Sequence, residues 1–252
     1  MLTEPIFEKL QALRLYGMRE GLEEQMTQAI YRDLTFEERL GLLVDREWSR
    51  RENNRLKRRI QTAGFRETAL MADVDTSASR GLDRKDLRAF AQGDWIGQRL
   101  NIIITGPTGA GKTYVGCAIG REVCQRDFSV RYSRTCRLLH DLIMARGDGT
   151  YGKLLNTIAK THLLILDDWL RDPLTSEQTR EVLEIMDDRY QQSSTMIISQ
   201  IPVTQWHERL GDPTLADAIL DRMVHNAYKL QLKGESRRKL RGIANKTKGE
   251  DQ

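Results

Sequence analysis

Gly106, Pro107, Thr108, Gly109, Ala110, Gly111, Lys112 and Thr113 follow one another between a short apolar run and a helical pattern. Glycines at this spacing let backbone N–H groups point inward around an anion, and the helix that follows turns its positive end toward it. This is the phosphate-loop order in its full form and in its strand-to-helix context. Lys112 is expected to neutralise the β- and γ-phosphates of a nucleotide, the Thr113 hydroxyl to hold magnesium, and Tyr114 to border the bound nucleotide.

A phosphate loop needs an acidic strand end beside it. Leu163, Leu164, Ile165 and Leu166 are followed directly by Asp167 and Asp168. Four apolar residues make a fully buried strand, and the carboxylates emerge at its carboxyl end, the side on which phosphate loops sit in doubly wound sheets. Asp167 is expected to hold magnesium through water and Asp168 to orient and polarise an attacking water. Residues 196–199 read as a further strand ending in Ser199 and Gln200. If that strand lies between the two before it, Gln200 or Ser199 reaches the γ-phosphate. Asp212 and Pro213 open a later helix as cap and first-turn proline. Its apolar residues Ala218, Ile219, Met223 and Val224 face inward and leave Arg222 as an isolated guanidinium, suited to a developing phosphate charge in a neighbouring subunit.

The elements that must position these residues are legible from periodicity. After about Leu100, short apolar runs at 101–105, 130–133, 163–166, 196–199 and 228–232 alternate with amphipathic helical stretches, one opened by a capping box at Thr175–Gln178. That alternation predicts an α/β class with a five-stranded parallel sheet. The first hundred residues read as helical. Ile6, Leu10 and Leu13 mark a short helix, Gly17 a break, and Leu22 and Met26 a second piece. Thr35-Phe36-Glu37-Glu38 forms a capping box that starts a third. Phe36, Leu40, Leu43, Val44 and Trp48 recur at three- and four-residue steps, which predicts one stripe facing a core. Residues 73–80 turn to Asp, Ser, Thr and Gly and mark a linker, so the expected domains are a helical 1–75 and a sheet-bearing 76–252.

The chain has 252 residues, 39% hydrophobic and 30% charged, enough apolar matter for a core and too polar for a membrane protein. Its longest apolar runs fall far short of the ~18 residues that span a bilayer. Glu4 and Pro5 stand where a signal peptide places basic residues, and the expected location is cytoplasmic, with no membrane partner. Cys117, Cys124 and Cys136 have no paired spacing and read as reduced packing residues. His140, His162, His207 and His225 have no ligand spacing. Trp95 either lines an adenine pocket or packs. Net charge is +4, but residues 46–59 carry seven basic residues against Glu47 and Glu52, and residues 229–248 carry eight against Glu235 alone. Positive charge gathered at two places in an otherwise acidic chain is the pattern of a surface that meets nucleic acid.

With these elements in order, the sheet-bearing half resembles the AAA+ superfamily, in its initiator and helicase-loader branch. Residues 35–51 (TFEERLGLLVDREWSRR), 106–113, 163–169 (LLILDDW), 199–206 (SQIPVTQW) and 215–238 (LADAILDRMVHNAYKLQLKGESRR) resemble more closely the IstB family of insertion-sequence transposition helper ATPases. The resemblance implies ATP and Mg2+ as cofactors. It implies a homo-oligomer that assembles on double-stranded DNA with little sequence preference, and a transposase of the retroviral-integrase type as partner. On the matched positions it makes Arg222 a finger acting in trans and Arg238 a second sensor. Asp168 departs from the Glu of the general AAA+ pattern, which implies slow, switch-like hydrolysis. Leu170 departs from the family's glycine after Trp169.

Only twenty residues follow the last expected strand, so the nucleotide is expected to be sealed by a neighbouring subunit. Duplex contact is expected from Arg51, Arg55 and Arg59 on one helix face, and from Arg134, Arg137, Arg146 and Lys153 between the second and third strands. It should depend strongly on salt. The alternative function is a replicative helicase loader of the same branch, but single-strand binding favours aromatic stacking platforms and aromatics are 6% of this chain. A third reading is a nucleotide-controlled scaffold in which hydrolysis is incidental, and Asp168 discriminates it.

Overall fold

The computed structural model describes residues 3–234. They form two compact units, divided between Arg58 and Arg59.

The first unit is helical. α1 (Thr3–Ala12) and α2 (Tyr16–Thr27) precede α3 (Phe36–Ala63), whose first part belongs to this unit. The expected capping box starts α3: the Thr35 amide donates to Glu38 Oε2 at 2.8 Å and the Glu38 amide to Thr35 Oγ1 at 3.3 Å. Two expectations fail. Gly17 is no break; it lies inside α2, where a Cβ would come within 2.7 Å of the Glu47 Cα, so glycine is there to let α2 and α3 touch backbone to backbone. The stripe expected to face a core does not. Leu43 is buried, but Phe36 is 73% exposed, Trp48 66%, Val44 50% and Leu40 41%. The reason is the Gly17–Gly21 contact, which turns the Leu43–Glu47 side of α3 toward α2 and leaves the neighbouring side outward.

The second unit carries the sheet. α4 (Arg84–Gln92) and α5 (Asp94–Gly97) lead into β1 (Asn101–Thr105), and α6 (Lys112–Gln125) leads to β2 (Val130–Arg134). α7 (Thr135–Gly147) and α8 (Tyr151–Lys160) precede β3 (Leu163–Asp167), and α9 (Ser176–Arg189) precedes β4 (Ser194–Ser199). α10 (Trp206–Arg209) and α11 (Pro213–Val224) lead to β5 (Ala227–Gln231). All strands are parallel, in the order β2-β3-β4-β1-β5. The expected strands are all present with ends shifted by one or two residues, and β4 does lie between β3 and β1. Ile102–Ile104 of β1 and Leu163–Leu166 of β3 are at most 1% exposed. β-branched and leucine side chains covered on both faces are what a central parallel strand requires. The capping box at Thr175 and Gln178 starts α9 as expected.

Residues 59–75 pack with this unit. The Phe65 ring and Ile165 Cδ1 fill the space over Gly120 of α6, and the Leu70 amide donates to the Tyr114 hydroxyl at 3.3 Å. At the end of α9, Arg189 is 2% exposed, with no ion pair among the described residues. It donates to the carbonyls of Ile158 (2.5 Å), Thr161 (2.8 Å) and Ser194 and to Thr195 Oγ1 (3.1 Å), tying the end of α8 to the start of β4. Burial pushes its guanidinium down to about 9.

Candidate functional site

The loop after β1 is shaped by its first glycine. Gly106 has φ +149°, and a Cβ there would lie 2.4 Å from the Leu232 carbonyl oxygen, so no other residue fits between the loop and the chain leaving β5. Gly109 and Gly111 also take positive φ. The loop then enters α6, a helix of 14 residues whose first turn faces it. Lys112 Nζ folds over the loop and donates to the carbonyls of Gly106 and Pro107, both at 2.9 Å.

Two strands away, β3 delivers Asp167 to the same edge. Thr113 Oγ1 donates to Asp167 Oδ2 at 2.9 Å. Tyr132, the middle residue of β2, donates to the same oxygen at 2.6 Å, and the Asp168 amide holds Oδ1 at 2.8 Å. Asp167 is 2% exposed and has no rotational freedom left. Burial, then the bond to Asp167, pushes the Tyr132 phenol far up, so it stays a neutral donor. A hydroxyl and a carboxylate in contact beneath a glycine loop suit a hard divalent cation with oxygen ligands, and the positive-φ loop above them suits a triphosphate.

Asp168 leaves the strand with φ +54° and a side chain 30% exposed. Arg66 and Arg171 each approach its Oδ2 at 3.9 Å. An open groove lined by Leu139, Ile143, Leu170 and Leu174 has Asp168 at its lip. The backbone beyond is pinned to β4: the Trp169 amide donates to Ile198 O at 3.0 Å, and Ser199 Oγ donates to Trp169 O at 2.7 Å while accepting from the Ile201 amide at 3.0 Å. Ser199 is 1% exposed and its hydroxyl is committed to backbone. Gln200 instead accepts from Thr108 Oγ1 at 2.7 Å, so the end of β4 touches the phosphate loop through this residue.

The structure therefore brings together residues 106–113 with Asp167, Asp168 and Gln200. It does not bring Arg222 to them. That residue pairs with Asp187, lies 5.9 Å from the Tyr190 ring centre, and its carbonyl accepts from Asn101 at the start of β1. It sits at the opposite end of the sheet, a strand length of about 13 Å from the loop. Arg238, and the basic stretch beyond Lys233, lie outside the described residues. The Tyr114 hydroxyl bonds with the Leu70 amide and Asp73, while its side chain lines a groove with Leu82, Leu232 and the loop residues Ala110 and Gly111. Trp95 packs, donating to Phe90 O at 3.0 Å. Cys117 and Cys124 are buried, which raises their thiols to about 11. Cys136, on the first turn of α7, is exposed, against the expectation of a packing residue.

The basic residues divide in two. Arg51 pairs with Glu47 (2.7 Å), Arg55 with Glu52 (2.6 Å) and Arg59 with Asp127 (2.6 Å). Arg146 pairs with Glu181 (3.0 Å) and stacks on Tyr151. Arg137 and Lys153 are exposed and Arg134 is half-buried, with no ion pair to any of them among the described residues. Sequence reasoning missed Tyr132 and Arg66. Neither has a local motif, and both reach the site through pairing of distant elements; the one available signal is a tyrosine in the strand beside the acidic one.

The model of the IstB-like ATP binding protein family matches residues 8–244. An insertion-sequence ATP-binding protein of Sinorhizobium fredii is 45% identical over 239 residues, spanning 95% of this chain and 98% of that relative. The ATP-binding protein of insertion sequence IS1162 of Pseudomonas fluorescens is 43% identical over 203 residues, 80% of this chain and 88% of that one. Among solved structures, the DnaC helicase loader superposes with a TM-score of 0.56 at 20% identity, over 66% of this chain and 97% of its own. At that identity it speaks to the fold alone.

Proposed function

The chain belongs to the IstB-like family of ATP binding proteins, and on that premise we propose that it is a slow ATPase that assembles on duplex target DNA and assists a transposase of the retroviral-integrase type. The observation that supports this most directly is the contact between Thr113 and Asp167 at 2.9 Å, with Asp168 one residue further along and Gln200 bonded to the loop. Residues 106–112 would supply backbone donors and one ammonium to the phosphates; Thr113 would hold Mg2+ and Asp167 would hold it through water, and the ion would supply charge neutralisation for the phosphates. Asp168 accepts a hydrogen bond from the attacking water and orients it. Aspartate reaches about one methylene less far than the glutamate usual in AAA+ proteins, so turnover is slow and ATP acts chiefly as an assembly switch.

Arg222 acts on the nucleotide of a neighbouring copy, a reading that its distance from its own loop supports. Arg238 is assigned the second-sensor role. The helical unit serves oligomer or partner contacts, as the outward Phe36, Leu40, Val44 and Trp48 suggest. Arg134, Arg137 and Lys153 contact DNA phosphates; Arg51, Arg55 and Arg59, already paired with carboxylates, contribute less. Phosphate contacts carry no base information, so binding is nearly indifferent to sequence and falls steeply with salt.

The test is sedimentation and phosphate release on a long duplex. Wild-type chain with ATP should form large complexes; Lys112→Ala should lose assembly and turnover, and Asp168→Asn should keep assembly while turnover drops about 100-fold or more. Chain that stays monomeric and ignores duplex at saturating ATP would overturn the proposal. Asp168→Asn with undiminished turnover would remove Asp168 from its role.

A further inference from the structure

We propose that Arg80 is a positioning residue that braces the phosphate loop from outside and joins it to the end of β5, so that nucleotide binding and the course of the chain at Lys233–Gly234 are coupled. This rests on the ATP reading above and assigns to that site a part the family comparison does not name.

Residues 73–80 have the composition of a linker, yet Arg80 is 8% exposed. One terminal nitrogen, Nη2, donates to the carbonyl of Ala110 at 3.3 Å, in the middle of the loop. The other, Nη1, reaches the carbonyl of Lys233 at 3.4 Å, and Nε lies 3.5 Å from Asp75. The backbone closes the same link, because the Lys233 amide donates to Arg80 O at 2.9 Å. A planar guanidinium with donors on two sides can hold two carbonyls at once, which a lysine cannot do with the same geometry.

The consequence for the loop follows from peptide geometry. No peptide bond here is cis, so the C=O of Ala110 and the N–H of Gly111 point in opposite directions. Anchoring that carbonyl to Arg80 turns the Gly111 N–H to the far side, the side on which a phosphate would lie. A cation on the carbonyl also polarises the peptide and makes its N–H a better donor. The consequence for the chain end follows from sterics. Gly234 has φ +96°, and a Cβ on it would lie 2.7 Å from Arg80 Nη1. A side chain at 234 must push the guanidinium aside, although residue 234 is no part of the loop.

The experiment compares full-length wild type, Arg80→Gln, Arg80→Lys, Gly234→Ala and the Arg80→Gln/Gly234→Ala pair by ATP calorimetry, KM and amide hydrogen exchange. Arg80→Gln should weaken ATP binding about tenfold, with KM rising alongside, and Arg80→Lys should recover part of it. Gly234→Ala should weaken it too, and the pair should be no worse than Arg80→Gln alone. Without nucleotide, Arg80→Gln should speed exchange together at the Ala110 amide, bonded to Pro107 O, and at the Lys233 amide. Wild-type ATP affinity in Arg80→Gln, multiplying effects in the pair, or exchange that quickens at one end only would each overturn the proposal. If Arg80→Gln does not fold, Arg80→Lys and Gly234→Ala carry the same comparison. Should wild type itself bind no ATP, the ATP reading falls, and the exchange arm still decides whether Arg80 links the two segments.

Discussion

The two units of this chain are specified by different physics. In the sheet unit, Ile102–Ile104, Leu163–Leu166 and Met196–Ile198 are each at most 1% exposed, an apolar slab closed on both faces. In the helical unit the buried positions are Gly17, Gly21, Gln25, Leu43 and Glu47, so among its described residues one large apolar side chain is buried. What joins α2 to α3 is polar: Glu47 accepts from the amides of Gly17 (2.6 Å) and Met18 (3.3 Å), Gln25 donates to Arg39 O (2.8 Å), and Arg46 and Arg50 pair with Glu24 and Glu20. A unit of under sixty residues with so little apolar burial is marginal by itself. Its largest apolar side chains face outward instead, so apolar burial holds the sheet unit together and polar contacts hold the helical one.

Core truncation should separate the units most widely. Leu164→Ala removes a fully buried leucine from β3 and should cost about 2–5 kcal/mol. Leu40→Ala on α3, already 41% exposed, should stay within about 0.5 kcal/mol. Urea unfolding monitored by circular dichroism measures both, and equal losses would break the contrast. Gly17→Ala should come next, at about 1–3 kcal/mol, because the new methyl meets backbone 2.7 Å away and backbone cannot step aside as a side chain can. Its effect should appear as faster amide exchange in α2 and α3 with KM for ATP unchanged; a matching rise in KM would mean the units are not independent.

What was legible in the sequence follows the same division. Burial on two faces writes itself as uninterrupted apolar runs, so the strands, the phosphate loop and the Asp167–Asp168 end were readable, as were two capping boxes whose partners are three residues apart. The helical unit misleads because periodicity reports that a helix has an apolar side, and says nothing of what covers it. Gly17 reads locally as a helix breaker; only the approach of α3 explains it. Arg80 and Tyr132 escaped notice for a related reason: their partners, Ala110 and Asp167, are thirty or more residues away, and no local pattern encodes such a pair.

Acid should loosen the helical unit before the sheet. Burial alone would raise the Glu47 carboxyl, but the Arg51 guanidinium and the amides of Gly17 and Met18 outweigh it and hold the group below its ordinary 4.5. A carboxyl depressed in the folded state contributes stability that is complete above its unfolded value and is lost as pH falls through the folded one. The α2–α3 amides should therefore lose protection, relative to their intrinsic exchange rates, below about pH 4.5, while the apolar strands keep theirs. Glu47→Gln should remove that pH dependence and lower the protection at neutral pH. If the mutant kept the acid response, the sensitive group would be another carboxylate.

A further small effect concerns Leu170. Leu170 has φ +50°, a left-handed conformation that costs a non-glycine residue about 1–2 kcal/mol. The backbone thus follows a path suited to glycine while bearing a leucine. The side chain explains why this is tolerated: it is 1% exposed and packs in the cluster with Leu138, Leu139, Trp169 and Leu210, and burying a leucine is worth about 1.5–3 kcal/mol. Strain and burial nearly cancel. Leu170→Gly should then change stability by only about 1 kcal/mol, in the destabilising direction, because a cavity remains where the side chain was. Leu170→Ala, which keeps the strain and gives up most of the burial, should be worse than Leu170→Gly. Thermal unfolding of the two variants beside wild type tests that order, and an alanine more stable than the glycine would mean that the positive φ carries no strain at this position.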